Sequence, residues 1–298
     1  MIRISIIGFG NVGKYVYEAL QAAPDMKVCG IVETPNVPVP QGMNDLWITD
    51  IKNVRDKGDI DVAVLCLPSR VCPDAAETLL KMGISTVDAY DIHSDIWKEK
   101  SRLDAVAKEA GKAAVIAAGW DPGTDSVLRA LMEAMAPRGI SYVDFGPGMS
   151  MGHSVAAKAI EGVENALSMT IPAGAGVHRR MVYVQLKSGA DITKVTQMIK
   201  ADPYFSHDET HVKQVDDITA LFDMGHGVRI TRKGSCGNTH NQIMEFSMRI
   251  NNPALTSQVL VSCARAVTKQ APGCYTLIEI PVIDLLPGER EDLVNRLV

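Results

Sequence analysis

The chain has no Cys-x-x-Cys pair, no surplus of basic residues, no apolar run long enough to span a bilayer, and no internal repeat or low-complexity linker. Its six cysteines, Cys29, Cys66, Cys72, Cys236, Cys263 and Cys274, are scattered. Several sit in apolar runs, where a reduced thiol behaves as a small hydrophobe, so neither disulfides nor structural zinc are expected. A formal net charge of −5 offers no electrostatic footprint for nucleic acid. With no membrane span, and an N-terminus that enters a strand-like run instead of a signal peptide, a soluble cytoplasmic protein is expected. His207 and His211 are spaced like two ligands on a helix, yet they stand among Asp208 and Glu209 in a polar stretch that reads as solvated loop; no metal site is expected.

What is present begins at residue 6. Ile6-Ile7-Gly8-Phe9-Gly10-Asn11-Val12-Gly13 is a Gly-x-Gly-x-x-Gly stretch after an apolar run and before a helical period of Val12, Val16, Ala19 and Leu20. Gly8 would allow the tight strand-to-helix turn, Gly10 the close approach of a pyrophosphate, and Gly13 the packing of helix on strand. Amides of the helix start, around Asn11 and Val12, would face the phosphates. A second apolar strand, Lys27 to Val32, ends at Glu33, the position that faces the adenosine ribose. A carboxylate there accepts hydrogen bonds from ribose hydroxyls and repels a 2′-phosphate, which favours NAD over NADP. Thr34 and Pro35 follow, with no arginine in the turn.

At 298 residues the chain suits two domains. Strand and helix patterns alternate through residues 1–119, predicting a Rossmann-type doubly wound sheet. The apolar run Asp61 to Leu67 leads into Pro68-Ser69-Arg70, a loop at the carboxyl end of a strand, where ligands bind in open α/β sheets; Leu67, Ser69 and Arg70 are therefore cofactor candidates. From residue 120 to 252, strands follow one another with fewer helices (Ser141 to Phe145, Ala166 to Thr170, Met181 to Leu186, Gly227 to Arg232, Gln242 to Met248). This predicts an α+β domain built on one mixed or antiparallel sheet. Residues 253–298 read as helices, with a strand, returning to the first domain.

Several segments resemble one family. Gly119-Trp120-Asp121-Pro122-Gly123, Asp88-Ala89-Tyr90-Asp91-Ile92-His93, Phe145-Gly146-Pro147-Gly148-Met149-Ser150-Met151-Gly152-His153-Ser154 and Asn251-Asn252-Pro253 are similar to meso-diaminopimelate dehydrogenase along nearly the whole chain. The spacing is closer to the shorter form of that family, which lacks an insertion between Pro172 and the strand at Met181. The resemblance implies reversible, NADP-dependent oxidative deamination of the D-centre of meso-2,6-diaminopimelate to L-2-amino-6-oxopimelate and ammonium, in lysine and cell-wall precursor metabolism, by a homodimer. The family places arginines after the second strand to hold the 2′-phosphate. Thr34 and Pro35 stand there instead, so family and local residues disagree, and the residues lean to NAD.

The resemblance sets Asp91 and Asp121 beside the reacting centre, to bind the amine and perform general acid/base work; which of them takes the proton is left open. Taken singly, Asp91 could equally start a helix and Asp121 form a turn before Pro122. The family further implicates Trp120, Phe145, Met151, Gly152, Thr170, Arg180, His226 and Asn252 in substrate binding. Arg180 would meet the carboxylate of the L-centre, Thr170, His226 and Asn252 would supply hydrogen bonds, and Phe145 and Met151 would wall the pocket. Strand alternation puts Arg180 with Val182 and Val184 on one face, opposite Arg179. His226, between Gly225 and Gly227, reads as an accessible loop. Domain closure is expected about hinges near Gly119 and before Pro253. Two other classes fit the same plan: an imine reductase or amine dehydrogenase lacking a second amino-acid subsite, and a non-catalytic dinucleotide sensor.

Overall fold

The computed structural model describes residues 1–222 and 225–298; the side chain of Met151 also lies outside the description. The chain divides into two compact units, Met1–Ala130 with Pro253–Val298, and Leu131–Asn252.

The first unit opens with β1 (Ile2–Ile7), α1 (Asn11–Gln21), β2 (Met26–Val32) and β3 (Trp47–Ile48). It continues through β4 (Val62–Leu65), α2 (Cys72–Lys81), β5 (Ser85–Asp88), α3 (Ile96–Ala110) and β6 (Ala113–Val115). Helix α4 (Thr124–Met135) leads out of it. The second unit holds β7 (Arg138–Phe145), β8 (Gly148–Met149), α5 (Met151–Lys158), β9 (Val163–Gly174), β10 (Val177–Leu186), α6 (Ile192–Ala201), β11 (Glu209–Gln214), β12 (Gly225–Cys236) and β13 (Thr239–Asn251). Helix α7 (Asn252–Val267), β14 (Gly273–Tyr275) and α8 (Arg290–Leu297) complete the chain.

The first unit is a seven-stranded sheet in the order β14-β6-β5-β4-β1-β2-β3, with every pair parallel. Parallel strands need both faces covered, and most of the residues in these strands are correspondingly buried. Val62, Val64, Ile4 and Ile6 pack with the buried stretch Leu260 to Val267 of α7 on one face. Ala63, Leu65, Leu79, Leu80 and Leu103 fill the other. The order reverses between β1 and β4, and at such a switch point the crevice outside the strand ends receives ligands. Gly8, Cys66 and Asp88 all stand at those ends.

The first unit runs on to Ala130, past the boundary at 119 read from the sequence, because the Gly119 to Gly123 turn belongs to it. Ala118 donates to the Asp88 carbonyl, and Gly119 donates to that of Pro122 at 3.0 Å. A Cβ on Gly123 would lie 1.8 Å from the Gly119 carbonyl oxygen. Gly119 itself therefore lies inside the first unit.

The second unit contains two sheets where one was expected: a mixed sheet β11-β10-β9-β8 and an antiparallel sheet β13-β12-β7. Gly146, at φ +93°, turns the chain so that β7 and β8 join different sheets. β9 and β10 are joined directly through Ala175 and Gly176, both with positive φ. His211 is on β11, with its Nε2 2.8 Å from Glu209, and His207 lies in the preceding turn; the loop reading holds only for the latter.

Candidate active site

The turn between β1 and α1 is built as its glycines require. Gly8 has φ +93°, and a Cβ there would stand 2.7 Å from the Cys66 carbonyl oxygen. One on Gly13 would meet the Gly8 oxygen at 2.1 Å, whereas one on Gly10 meets nothing within 4 Å. Two glycines are therefore demanded by the protein itself, and the third leaves open space in front of the helix start. Helix α1 has no acidic residue in its first turn and no side-chain cap, so the amides around Asn11 and Val12 keep their favourable field for an anion. These residues fit a dinucleotide.

Glu33 folds back onto this turn. Its Oε2 accepts from the Phe9 amide at 2.6 Å and its Oε1 from the Thr34 amide at 2.7 Å. The carboxylate is thus fixed beside the glycines, while Thr34 itself is exposed. Across the crevice, Leu67 lies 3.0 Å from where a Gly8 Cβ would be; Ser69 is half-buried and Arg70 exposed.

Ser69 also joins two loops. Its hydroxyl donates to Asp91 Oδ1 at 2.6 Å and accepts from the Asp91 amide at 3.2 Å, stitching the loop after β4 to the loop after β5. Asp88, at the end of β5, is 2% exposed, and burial pushes its carboxyl up to about 6 against the Tyr90 and Ala117 amides. Trp120 is buried. Asp121 is pushed up to about 8, first by burial and then by the Asp125 carboxylate, with Asp91 adding and Arg129 opposing. Asp121 Oδ1 lies 4.0 Å from Arg129 Nη2.

The second unit gathers a separate set. Arg180 on β10 stands opposite Thr170 on β9, donating from Nη1 to the Thr170 hydroxyl and from Nε to Asp208 Oδ2 at 2.6 Å. Val182 and Val184 on the same face are fully buried; Arg179 points to solvent and pairs with Glu209. Phe145 donates its amide to His178 Nε2 at 2.7 Å, and the two rings are 5.6 Å apart. His226 is a buried residue of β12 and not a loop residue. Gly227 beside it serves close strand approach: a Cβ there would come within 3.1 Å of the Met248 oxygen and 3.2 Å of the Gly146 oxygen. Burial lowers the His226 pKa, and Arg180 and His178 lower it further. Met151 and Gly152 open α5, Gly152 being exposed, and Asn252 begins α7.

Some members of these clusters escaped the sequence reading. His178 lies two residues before Arg180, and strand alternation alone would have put both on one face. Asp125 and Arg129 follow Asp121 at helical spacing, which could have marked them as its neighbours. His153 sits within the quoted Gly-Pro-Gly-Met-Ser-Met-Gly-His-Ser stretch; its Nδ1 is 2.8 Å from the Ser150 hydroxyl. Asp208 carried no signal, since its partnership with Arg180 arises from parallel pairing of β10 with β11.

The model of the diaminopimelic acid dehydrogenase C-terminal domain matches residues 119–179. The meso-diaminopimelate D-dehydrogenase of Bacteroides fragilis is 56% identical over 298 residues, covering 100% of this chain and 99% of that one. Among solved structures, the DAP dehydrogenase of C. glutamicum in complex with DAP superposes with a TM-score of 0.88 at 29% identity, covering 100% of this chain and 99% of the other. An engineered D-amino acid dehydrogenase bound to NADP+ gives 0.86 at 27%, with the same coverage. Identity of this degree over the full length of both chains makes the chain a member of the meso-diaminopimelate D-dehydrogenase family.

Proposed function

We propose that the protein catalyses the reversible oxidative deamination of the D-centre of meso-2,6-diaminopimelate, giving L-2-amino-6-oxopimelate, ammonium and a reduced nicotinamide cofactor. The observation that carries this is the pair Asp91 and Asp121 at the carboxyl ends of β5 and β6, on the sheet whose glycine turn follows β1. When bound, the cofactor supplies the hydride acceptor. Gly8, Gly10 and Gly13 would shape its pyrophosphate site, with Asn11, Val12, Leu67, Ser69 and Arg70 around it.

An ammonium group cannot release hydride from its carbon until one of its protons has gone. A carboxyl pushed up to about 8 accepts that proton far more readily than an ordinary aspartate. Asp121 is therefore read as the base, and Asp91, oriented by Ser69, as the group that holds the amine. Water then adds to the resulting C=N, ammonium leaves, and the oxo acid remains. Trp120 walls the D-centre. For the L-centre, Arg180 meets the carboxylate, with Thr170, His226 and Asn252 as hydrogen-bonding groups and Phe145 and Gly152 lining the space. This second amino-acid subsite separates the reading from a simpler amine dehydrogenase or imine reductase.

For the cofactor, the Glu33 carboxylate fixed beside the glycines supports NAD over NADP, since a 2′-phosphate there would meet a negative charge and no arginine. A homodimer in the cytoplasm completes the proposal. The exposed face of the β13-β12-β7 sheet, where Ile140 and Ile243 flank Lys233, supports self-association, which sedimentation of the purified protein tests.

The test of function is the initial rate of cofactor reduction with meso-diaminopimelate, run with NAD and NADP in parallel. Turnover is expected, faster with NAD, and is lost in Asp121→Asn. Silence with both cofactors would overturn the activity. Turnover with NADP alone would overturn only the role of Glu33.

A further inference from the structure

We propose that Asp125 is a positioning residue for this reaction: together with Arg129 it holds the Asp121 carboxyl and governs whether that group carries a proton when substrate arrives. The inference rests on the reading of Asp121 as the base.

Helix α4 begins immediately after the Trp120-Asp121 turn, and the Asp125 amide donates to the Trp120 carbonyl at 3.0 Å. Asp121 stands in the turn just before the helix, and Asp125 and Arg129 follow one helical turn apart on α4. Asp125 is completely buried. Its Oδ1 accepts from the Ser126 hydroxyl at 3.2 Å, and its Oδ2 lies 3.3 Å from Arg129 Nη2. Arg129 Nη2 also donates to the Ser126 hydroxyl at 3.1 Å and stands 4.0 Å from Asp121. One guanidinium nitrogen thus serves two carboxyl groups.

Asp125 Oδ2 nevertheless accepts no hydrogen bond among the described residues, and Arg129 Nε donates none. An ionised oxygen buried without a donor is costly, and the cost disappears if a proton sits between the carboxyls. Asp121 is in place to supply it, for burial first and the neighbouring Asp125 carboxylate next push its carboxyl up to about 8. The charged groups facing Asp121 are Asp125 and Arg129 from α4 and Asp91 from the loop after β5. Asp121, Asp125, one proton and the Arg129 guanidinium balance one another at rest, and Asp91 adds one further negative charge that favours keeping the proton. As pH rises, the proton leaves and Asp121 becomes free to take one from the substrate ammonium. Asp125 touches no reacting atom in this scheme; it acts through Asp121.

The experiment is the pH profile of kcat/KM for deamination. Activity rises as the base ionises, so the acidic limb reports Asp121. Asp125→Asn keeps the shape and removes the like charge. The limb should move to lower pH by about one unit, a tenfold change in the ratio of ionised to neutral base. Arg129→Gln, at a partly exposed position, removes the opposing cation and should move the limb to higher pH. A limb that stays put in both variants, while Asp121→Asn is inactive, overturns the role of Asp125 and leaves Asp121 as the base. Full turnover in Asp121→Asn overturns both.

The unaltered protein gives a reading that survives a folding failure of Asp125→Asn. Infrared difference titration should show a protonated carboxyl persisting above pH 7 that is missing in Asp121→Asn. Absence of that band from the unaltered protein would overturn the proposal.

Discussion

The Glu33 carboxylate accepts the Phe9 amide at 2.6 Å, which binds the end of β2 to the turn between β1 and α1. The other oxygen of the carboxylate takes the Thr34 amide at 2.7 Å, so the negative charge is held in place by two backbone donors. Fixed charge discriminates better than mobile charge, because it cannot relax to accommodate the wrong partner.

Cofactor preference should therefore move with two substitutions. Glu33→Ser removes the repulsion, and Thr34→Arg adds a cation able to meet a 2′-phosphate in a forked contact. A charged hydrogen bond of about 1.5–3 kcal/mol corresponds to a shift of roughly 10- to 100-fold in the NADP/NAD ratio of kcat/KM. Initial rates with both cofactors check it. An unchanged ratio in the double variant would show that the adenosine ribose does not lie beside Glu33.

Gly10 and Gly13 should respond differently to the same change. Gly13→Ala places a methyl 2.1 Å from the Gly8 carbonyl oxygen, and relief requires moving the strand-to-helix turn itself. Its cost belongs to the overpacking class, about 1–3 kcal/mol or more, read as a lower denaturation midpoint in the absence of cofactor. Gly10→Ala meets nothing, so the free protein should keep its midpoint while the KM for cofactor rises. Equal loss of stability in both variants would contradict this division of roles.

How much of this was legible before the fold was known differs between the two units. β1, the glycine turn, Glu33 and the alternation through β6 could be read because in a doubly wound sheet each strand, turn and helix is local in sequence and carries its own period. Arg180 could be placed inward by alternation with Val182 and Val184. The division of the second unit into two sheets could not, since it depends on the turn at Gly146 and on the distant pairing of β10 with β11. That pairing brings Asp208 to Arg180. His226 was misread because glycine neighbours signal a loop and a close strand approach equally well, and only the third dimension separates them.

His153 should make stability depend on mildly acid pH. Burial, reinforced by the Arg180 cation, lowers its pKa from the ordinary 6.5 to about 4. Above pH 6.5 the ring is neutral in both folded and unfolded chains, and its contribution is complete. Between 6.5 and 4 the unfolded chain takes up a proton that the folded protein refuses, so stability falls as pH falls, and no further loss comes from this group below 4. His153→Gln removes the titration. The gap between the denaturation midpoints of the two proteins should be constant above pH 6.5 and should shift in favour of the variant on the way down to 4. A gap that does not vary with pH would mean that His153 is not held neutral.

The last prediction separates what Arg180 does for the fold from what it does for substrate. Its Nε donates to Asp208 at 2.6 Å, and its side chain is 15% exposed against 28% for Asp208. Arg180→Ala leaves that carboxylate without its cation in a mostly buried place, a loss of up to about 3–5 kcal/mol when a buried pair is broken on one side. The denaturation midpoint should fall. Adding Asp208→Asn removes the stranded charge and should return much of the stability, since replacing both members of a pair costs less than removing one. The KM for diaminopimelate behaves otherwise: it should rise by roughly 100-fold with Arg180→Ala, about 2.7 kcal/mol at 1.36 kcal/mol per tenfold, and stay raised in the double variant, because the substrate carboxylate has lost its cation in either case. A double variant that recovers both stability and KM would show that Arg180 serves the fold alone and that another group receives the L-centre.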